Sequence, residues 1–476
     1  MLEQEVCLTT IQDSSISPVA IFLPPSITES FEIVLARACD LNDNGENIVL
    51  AFCTGVFRGC VANPYGCNAL CSHCASVTEQ AIASVLPNIS KVYYCRVTVV
   101  NNTKNNMPDS VFNGPRSTIL TFYRQDVDKI NWKYKNALFI GGLFKRFKKY
   151  EKSTYYFTKS FIKRVKPKRI EYFNGRITPT MSISQAAIDS GVSHCAIEVS
   201  GFNKNFFFAH NTKVHDLSFL KDRMKNYEPG PEAKQMGISF FHKRRGGINT
   251  NDKTYTSSQH VGMFGSYNKK LVAIFLSSTD EFQIFGDEWF TNCSRDPASF
   301  VLELRSALDS SYDIVLRMHP NQSGDKTGIS DHIMKVLSSQ EGVQLIKPTD
   351  RHSSYELLDI ACVAITFGSS IGFEATYSGK PSILAGRCAW ESEGVAYVVE
   401  SAEEAAKIVL SQPQPLDSNK AVKIATYYMD NLDETFNLSY EHERCLYKVR
   451  DLNFLPQKRK SFFYKLNRAI DKFLIR

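Results

Sequence analysis

Residues 361–386, ACVAITFGSSIGFEATYSGKPSILAG, constrain the fold of this chain more than any other segment. The apolar, β-branched run at 362–366 predicts a buried parallel strand, and the small residues after it predict a tight turn. A short helix is expected over 371–377, since Gly379-Lys380-Pro381 would end it. The next strand would begin at 382–385. This order of strand, turn, helix and strand predicts an open parallel α/β sheet.

The turn in this segment has the chemistry of an anion site. Gly368, Ser369 and Ser370 would present backbone N–H groups and two hydroxyls beside the start of the predicted helix. A phosphate group is the natural ligand of such a turn. Glu374, one helical turn further on, would accept hydrogen bonds from sugar hydroxyls. The segment therefore predicts a phosphate site where a strand ends.

Length and composition predict two domains in a cytoplasmic protein. The 476 residues exceed one ordinary core, and 43% hydrophobic with 22% charged residues is typical of globular proteins. No apolar run reaches the roughly 18 residues of a membrane span. Residues 1–15 carry acidic side chains and no apolar core, so we predict no signal peptide. In that compartment the 13 cysteines are expected to be thiols or metal ligands.

Alternating apolar runs and helical segments predict two Rossmann-like α/β domains. Residues 1–263 would form the N-terminal domain, and 264–433 the C-terminal domain. Residues 213–270 are polar and glycine-bearing and are predicted as the connection, and 434–476 as a helical, basic tail. Two such domains place a ligand in the cleft that they face, at the carboxyl ends of their strands.

Polar residues follow three predicted strands of the second domain. They are Ser277, Ser278 and Asp280 after the first strand, Arg317, His319, Pro320 and Asn321 after the second, and Gly368, Ser369 and Ser370 after the fourth. Because strand ends of a parallel sheet meet at one edge, we expect these clusters to converge. Arg317 and His319 would donate to phosphate oxygens. The three clusters together predict a nucleotide site.

These motifs resemble those of a known family. Arg-x-His-Pro at 317–320, followed by T-x-G-S-S-x-G-x-E-A-x-x-x-G-K-P from Thr366, resembles the C-terminal half of GT-B glycosyltransferases of bacterial capsule and surface-polysaccharide biosynthesis. The resemblance covers 271–386 and extends weakly to 172–176 and Glu198. It implies a GT-B-like fold and a nucleotide-sugar donor, CMP- or UDP-linked, with its phosphate on His319, Pro320, Ser369 and Ser370.

The catalytic group is expected in the first domain. No Asp-x-Asp pattern indicates a metal at the donor phosphate, so transfer is predicted to be metal-independent there. An inverting displacement needs a general base on the acceptor side. Glu198 at a strand end is the first candidate, followed by Asp280 and His210. Asn174 and Arg176 would lie on the acceptor side, and an ion pair between Arg176 and Glu198 is an equally good interpretation of that carboxylate.

Five cysteines cluster in residues 53–74: Cys53, Cys60, Cys67, Cys71 and Cys74. Cys53, Cys60, Cys71 and Cys74 would supply a four-thiolate zinc site, with Cys67 as a further candidate ligand. The spacing C-x3-C-x2-C, from residue 67 to 74, also matches a radical SAM cluster motif, so a [4Fe–4S] cluster is an alternative. Packed free thiols are the third interpretation.

Two basic segments carry much of the net charge of +7. Residues 145–169 interleave lysines with aromatics, but no nucleic-acid-binding motif accompanies them, and no nucleic-acid partner is expected. Residues 458–476 place apolar side chains on one helical face and cations on the other. This pattern is typical of a helix lying in a membrane interface, and equally of a helix packed on the protein.

The sequence therefore predicts a glycosyltransferase that moves a sugar from a nucleotide donor to a surface-polysaccharide or lipid-linked glycan acceptor. Its location would be cytoplasmic, with peripheral contact at the inner face of the membrane through 458–476. Three alternatives are a nucleotide-sugar epimerase, a radical SAM or other Fe–S enzyme acting on a glycan, and a non-catalytic glycan- or anion-binding protein.

Overall fold

A computed structural model describes residues 8–9, 16–95, 107–128, 137–199, 206–246, 259–278, 285–430, 433, 437–441 and 446–454. These residues form two compact units. The first unit takes the described residues up to Val199, those of Phe206–Val214 and those from Asp433 onward, and the second takes those of His215–Leu432. The boundary predicted after residue 263 thus lies inside the second unit, and the chain returns to the first unit near its C-terminal end.

The first unit is built on a mostly parallel sheet. Its strands are β1 (Leu8–Thr9), β2 (Val19–Phe22), β3 (Ile48–Phe52), β4 (Ser90–Tyr93), β5 (Arg169–Phe173), β6 (Ser193–Val199) and β7 (Phe206–His210), in the spatial order β1-β4-β3-β2-β5-β6-β7. Strands β2 to β6 pair in parallel, and β1 and β7 are antiparallel edge strands. Numbered along the chain, the five parallel strands have the Rossmann order 3-2-1-4-5.

The helices of the first unit explain the basic segment at 145–169. They are α1 (Ser30–Asp43), α2 (Asn68–Val85), α3 (Asn113–Tyr123), α4 (Ala137–Val165) and α5 (Thr180–Ile188). Most of the basic segment lies in α4, where Phe147, Phe157 and Phe161 are fully buried. The ring centroids of Phe157 and Tyr94 are 4.6 Å apart, with the rings tilted by 34°, so these aromatics pack in the core. No helix among the described residues is long and apolar enough to cross a membrane.

The second unit is built on an all-parallel sheet. Its strands are β8 (Lys270–Phe275), β9 (Tyr312–Arg317), β10 (Val343–Ile346), β11 (Val363–Thr366), β12 (Ser382–Leu384) and β13 (Tyr397–Val398), in the order β10-β9-β8-β11-β12-β13. Along the chain this order is 3-2-1-4-5-6, that of a dinucleotide-binding Rossmann sheet. The predicted fold class of two Rossmann-like α/β domains is confirmed by these two sheets.

Helices connect and cover these strands. They are α6 (Leu217–Lys225), α7 (Pro231–Arg245), α8 (Asn292–Arg295), α9 (Pro297–Ala307), α10 (Ile329–Leu337), α11 (Ser354–Ile360), α12 (Ile371–Tyr377), α13 (Ala402–Leu410) and α14 (Ser418–Met429). The core between sheet and helices is aliphatic and includes Ile274, Leu316 and Ile365, all without exposed surface. Crossover connections of this kind are what parallel strands require.

The predicted connection at 213–270 is wrong over its first half, which forms α6 and α7. A Cβ on Gly237 of α7 would lie 2.2 Å from Thr426 Oγ1 on α14, so only glycine permits this close approach. Phe241 of α7 stacks on Tyr377 with ring centroids 3.7 Å apart. The sequence did not indicate α7 because this helix buries only three residues and is otherwise mostly polar.

The tail predicted as helical begins as a β-hairpin. Strands β14 (Leu438–Glu441) and β15 (Leu446–Val449) pair antiparallel and pack on α1. The backbone N–H of Asn437 donates to Asp40 Oδ1 at 2.9 Å, and Arg450 forms an ion pair with Asp43. These contacts bind the described part of the tail to the first unit. The predicted interfacial helix at 458–476 lies outside the described residues.

Candidate functional site

A hydrogen bond joins the first and fourth strands of the second unit where they end. Strands β8 and β11 are neighbours in the sheet, at the point where its strand order reverses. The buried Ser277 Oγ, just after β8, donates to the carbonyl of Phe367, just after β11, at 3.1 Å. Doubly wound sheets bind their ligands in the crevice at this reversal point.

The predicted small-residue turn follows β11. Gly368 has φ +99°, in the region that favours glycine, and the backbone N–H of Ser369 donates to Thr366 Oγ1 at 2.9 Å. A Cβ on Gly386, after β12, would lie 2.7 Å from the Phe367 backbone. The turn is therefore fixed from both sides, and Ser369 and Ser370 are half-buried beside the start of α12.

An aromatic cavity of about 20 Å³ adjoins this crevice. It is lined by Leu276, Ser277, Trp289, Phe290, Ser294, Pro297 and Phe367. The indole Nε1 of Trp289 donates to the carbonyl of His215 at 2.8 Å, which fixes the ring. Its volume corresponds to about one or two water molecules, so it is too small to enclose a base or a sugar ring. The sequence motifs did not include Trp289 or Phe290, although this adjacent aromatic pair between the first strand and the next predicted helix was a usable signal.

Arg317, at the end of β9, braces a neighbouring loop. Its side chain is buried, and Nη1 donates to the carbonyls of Asp350 at 3.1 Å and Lys347 at 3.5 Å. Burial lowers the pKa of this guanidinium, and the Asp350 carboxylate opposes the shift. Arg317 thus holds the loop after β10, and its contact with phosphate stays a prediction.

His319 begins the 3-10 turn Pro320–Gly324 after β9. Its Nδ1 accepts from the backbone N–H of Asn321 at 3.2 Å, and its own backbone N–H donates to Gln322 Oε1 at 3.0 Å. Since Nδ1 is an acceptor, the proton of the neutral imidazole is on Nε2. The turn therefore sets the orientation of the imidazole ring, and Pro320 is the first residue of that turn.

Glu374 is bound by Arg244. The carboxylate is buried on α12, Arg244 Nε lies 3.2 Å from each of its oxygens, and the Tyr355 hydroxyl donates to it. Arg244 Nη2 also donates to Ser370 Oγ at 3.5 Å. Burial acts to lower the pKa of Arg244, but Glu374 and Tyr355 outweigh it and raise that pKa. Arg244 is thus a permanent cation in contact with the turn Gly368-Ser369-Ser370, called the serine turn below. The predicted role of Glu374 toward sugar hydroxyls stays a prediction.

The candidate acceptor residues of the first unit lie together after β5 and β6. Asn174, with φ +66°, donates through Nδ2 to Glu198, and the Val199 N–H donates to Glu198 Oε1 at 3.0 Å. Burial raises the pKa of Glu198, and the charge of Arg176 partly opposes this shift. Arg176 Nη1 donates to Thr121 Oγ1 at 3.2 Å. A raised pKa is the property expected of a carboxylate that acts as a general base.

The other two candidates for the general base are His210 and Asp280. His210 is exposed at the end of β7, with its Nε2 at 4.0 Å from Cys195 Sγ. Asp280 lies outside the described residues. The structure therefore brings Asn174, Arg176 and Glu198 together and leaves the role of Asp280 a prediction.

Four of the five clustered cysteines line one cavity in the first unit: Cys53, Cys60, Cys71 and Cys74. Cys67 is the residue before α2 and is not among the lining residues. Within the part of the chain that the structure describes, no three His, Cys, Asp or Glu side chains form a set that could hold a metal ion. Four of the five predicted metal ligands are thus neighbours, and all five are free thiols.

Comparison with known proteins gives matches only among solved structures. No family model and no curated protein matches the chain. It is similar to the KpsC beta Kdo 2,4 transferase of Thermosulfurimonas dismutans, with 14% identity and a TM-score of 0.38 over 65% of this chain and 88% of that one. It is also similar to the Neisseria meningitidis UDP-GlcNAc 2-epimerase bound to UDP-GlcNAc, with 12% identity and a TM-score of 0.31 over 87% and 98%.

A glycosyltransferase from Rickettsia africae ESF-5 matches with 9% identity and a TM-score of 0.28, over 97% of this chain and 100% of that one. The matches thus include glycosyltransferases, the class that the motifs resemble, and an epimerase, one of the alternatives. At such identities and TM-scores, no residue role or substrate passes from those proteins to this chain.

Proposed function

We propose that the chain is a GT-B-type glycosyltransferase that moves a sugar from a nucleotide donor to a surface-polysaccharide or lipid-linked glycan. The observation that carries this proposal is the Ser277–Phe367 hydrogen bond, which joins β8 and β11 at the reversal point of a 3-2-1-4-5-6 sheet. Strand-end hydroxyls, a cation and an aromatic cavity belong to this one region of the second unit.

The donor would bind at that region of the second unit. Ser369 and Ser370 of the turn would donate to phosphate oxygens, with His319 Nε2–H from the neighbouring strand end. Arg244, in contact with Ser370, would supply the positive charge that a metal provides in other transferases. The base or the sugar ring would contact Phe290, the half-buried aromatic residue at the edge of the small cavity. A CMP- or UDP-linked sugar fits this description.

The first unit would supply the acceptor side and the general base. Glu198 would take the proton of the acceptor hydroxyl as that oxygen forms its bond to the anomeric carbon. The bond from the anomeric carbon to phosphate breaks, and its electron pair leaves with the nucleotide. Asn174 orients the carboxylate through its hydrogen bond. Burial favours protonation of Glu198, and a more basic carboxylate is a better proton acceptor.

A turnover assay tests this proposal and separates it from the epimerase alternative. Purified full-length chain is incubated with a panel of CMP- and UDP-sugars, with and without lipid-linked or polysaccharide acceptor, and the products are resolved by chromatography. We expect free nucleotide to appear only when acceptor is present. Conversion of a sugar nucleotide to its isomer without acceptor would instead establish an epimerase. No consumption of any sugar nucleotide under either condition would contradict both activities.

A further inference from the structure

The loop after β3 encloses a cavity of about 40 Å³ that contains four thiols. Cys53 directly follows β3, Cys60 lies in the loop, and Cys71 and Cys74 are one turn apart on α2. Its other walls are mostly apolar and include Leu23, Pro24, Ile27, Phe52, Leu70 and Tyr94. Since one water molecule needs roughly 10–15 Å³, the space is large enough for one ion.

Every one of the four sulfurs accepts a hydrogen bond. The donors are Gly55 N–H to Cys53 Sγ at 3.3 Å, Ala62 N–H to Cys60, Asn63 Nδ2 to Cys71 Sγ at 3.1 Å, and the backbone N–H groups of Ser26 and Ile27 to Cys74. The Tyr150 hydroxyl of α4 donates to Cys53 as well. Donors that converge on sulfur stabilise thiolates, and they are the outer shell typical of metal-bound cysteines.

The loop is shaped to hold this arrangement. Gly55 has φ +94°, and a Cβ there would lie 2.7 Å from Cys71 Cβ, so the turn after Cys53 packs directly against α2. From the other side, Arg146 of α4 donates through Nη1 to the Pro64 carbonyl at 2.6 Å. The loop is therefore fixed over the cavity by two helices.

We propose that Cys53, Cys60, Cys71 and Cys74 bind one Zn²⁺ ion, which ties the loop after β3 to α2. Zinc takes four thiolates in a tetrahedral set, and its binding releases the four thiol protons. In the described part of the chain the four thiols are not arranged around one point as metal ligands would be. Zinc binding therefore requires that they rotate about χ1 toward a common centre. The site is structural, with no open coordination position, and it is independent of the proposed glycosyl transfer.

The position of Cys67 favours zinc over the iron–sulfur alternative. The radical SAM spacing needs Cys67 together with Cys71 and Cys74. Cys67 lies outside the cavity lining, and its backbone is tied to Asn63 by two hydrogen bonds, of 2.7 and 3.0 Å. Only two of the three cysteines in that motif therefore share the cavity. Cys67 is also a matched control, because it precedes the same helix as Cys71.

Metal analysis of the full-length chain tests the proposal. Protein purified under reducing conditions is assayed for zinc and iron by mass spectrometry, as wild type, Cys60→Ser, Cys71→Ser and Cys67→Ser. We expect about one zinc ion per chain in the wild type and in C67S, and a loss of most of that zinc in C60S and C71S. Removing zinc with a chelator and titrating Co²⁺ into the wild type should give thiolate-to-metal charge-transfer absorption, which does not depend on any variant folding.

Three results would overturn the zinc site. A wild-type chain that holds no zinc and shows no charge-transfer absorption with Co²⁺ has four packed free thiols. Equal zinc loss in C67S and C71S would place Cys67 in the ligand set. About four iron ions per chain with acid-labile sulfide would establish a cluster instead.

Discussion

Arg244 Nε lies 3.2 Å from both carboxylate oxygens of Glu374, and the same guanidinium reaches Ser370. This contact joins α7, which lies in the segment predicted to be a polar connection, to α12, the helix after the serine turn. Glu374 keeps 2% of its surface exposed, and Arg244 is the counter-charge of this buried carboxylate. The pair therefore fixes the position of the Arg244 guanidinium beside the proposed phosphate site.

Arg244→Ala should destabilise the second unit by roughly 3 kcal/mol, because a buried carboxylate loses its counter-charge. Arg245→Ala is the matched control. Its ion pair with Asp359 is exposed, so that substitution should cost less than about 1 kcal/mol. Urea unfolding, followed by a probe of the second unit such as Trp390 fluorescence, measures both. Equal losses in the two variants would show that the Arg244–Glu374 pair has no special weight.

Glu151→Gln should stabilise the chain increasingly as pH rises. Glu151 is fully buried on α4, Ser182 donates to its Oε2, and burial raises its pKa to about 8 from 4.5. Between these values the unfolded chain has released this proton while the folded chain retains it. Stability is therefore lost with rising pH, by at most about 1.4 kcal/mol per pH unit.

The Glu151 prediction is checked by denaturation of wild type and E151Q at intervals from pH 5 to 8. The variant lacks the titrating proton, so its advantage over wild type should grow across this range. Glu46→Gln is the control. Its pKa is lowered by Lys168, so its effect should stay constant over the same range. An advantage of E151Q that is independent of pH would contradict the raised pKa.

Glu198→Gln should lower transfer by about 10²- to 10⁴-fold while nucleotide affinity stays the same, because the amide cannot accept the proton. Burial raises the pKa of Glu198, so the wild-type rate should rise with pH through a midpoint above the usual 4.5, and the variant should lose this limb. The control is Asp128→Asn, at an exposed carboxylate bound to Arg116. A variant within a few-fold of the wild-type rate would exclude Glu198 as the base.

Local patterns were enough to predict much of the second unit. The helix predicted over 371–377 has those bounds, and the strands predicted at 362–366 and 382–385 form as β11 and β12, because Gly and Pro end the segments and β-branched runs favour buried strands. The serine turn and its neighbours after β8 and β9 also follow strands of one sheet, as expected.

What the sequence did not indicate depends on contacts between distant segments. Arg244 and Glu374 are 130 residues apart, and nothing local to α7 marks its arginine as a partner of the motif. The hairpin of β14 and β15 likewise depends on packing against α1. Its neighbour Asn437 donates to Asp40, which lies 397 residues earlier in the chain. The hydrogen bond from Arg317 to the carbonyl of Asp350, after β10, could be seen only in the fold, and the contact of Arg317 with phosphate stays a prediction.

The central claim is a nucleotide site where β8 and β11 end, and a nucleotide titration tests it most directly. Full-length protein is heated with CMP, UDP, GDP or TDP, as wild type, Ser277→Ala, Ser369→Ala, His319→Ala and the exposed control Ser306→Ala on α9. At one hundred times Kd, a bound nucleotide stabilises the second unit by about 2.7 kcal/mol, a shift of roughly 5–10 °C in Tm. We predict this shift, measured from each protein's own ligand-free Tm, for at least one nucleotide with the wild type and S306A, and a smaller one with the other three variants. No shift with any nucleotide, or an equal shift in all five proteins, would contradict the site.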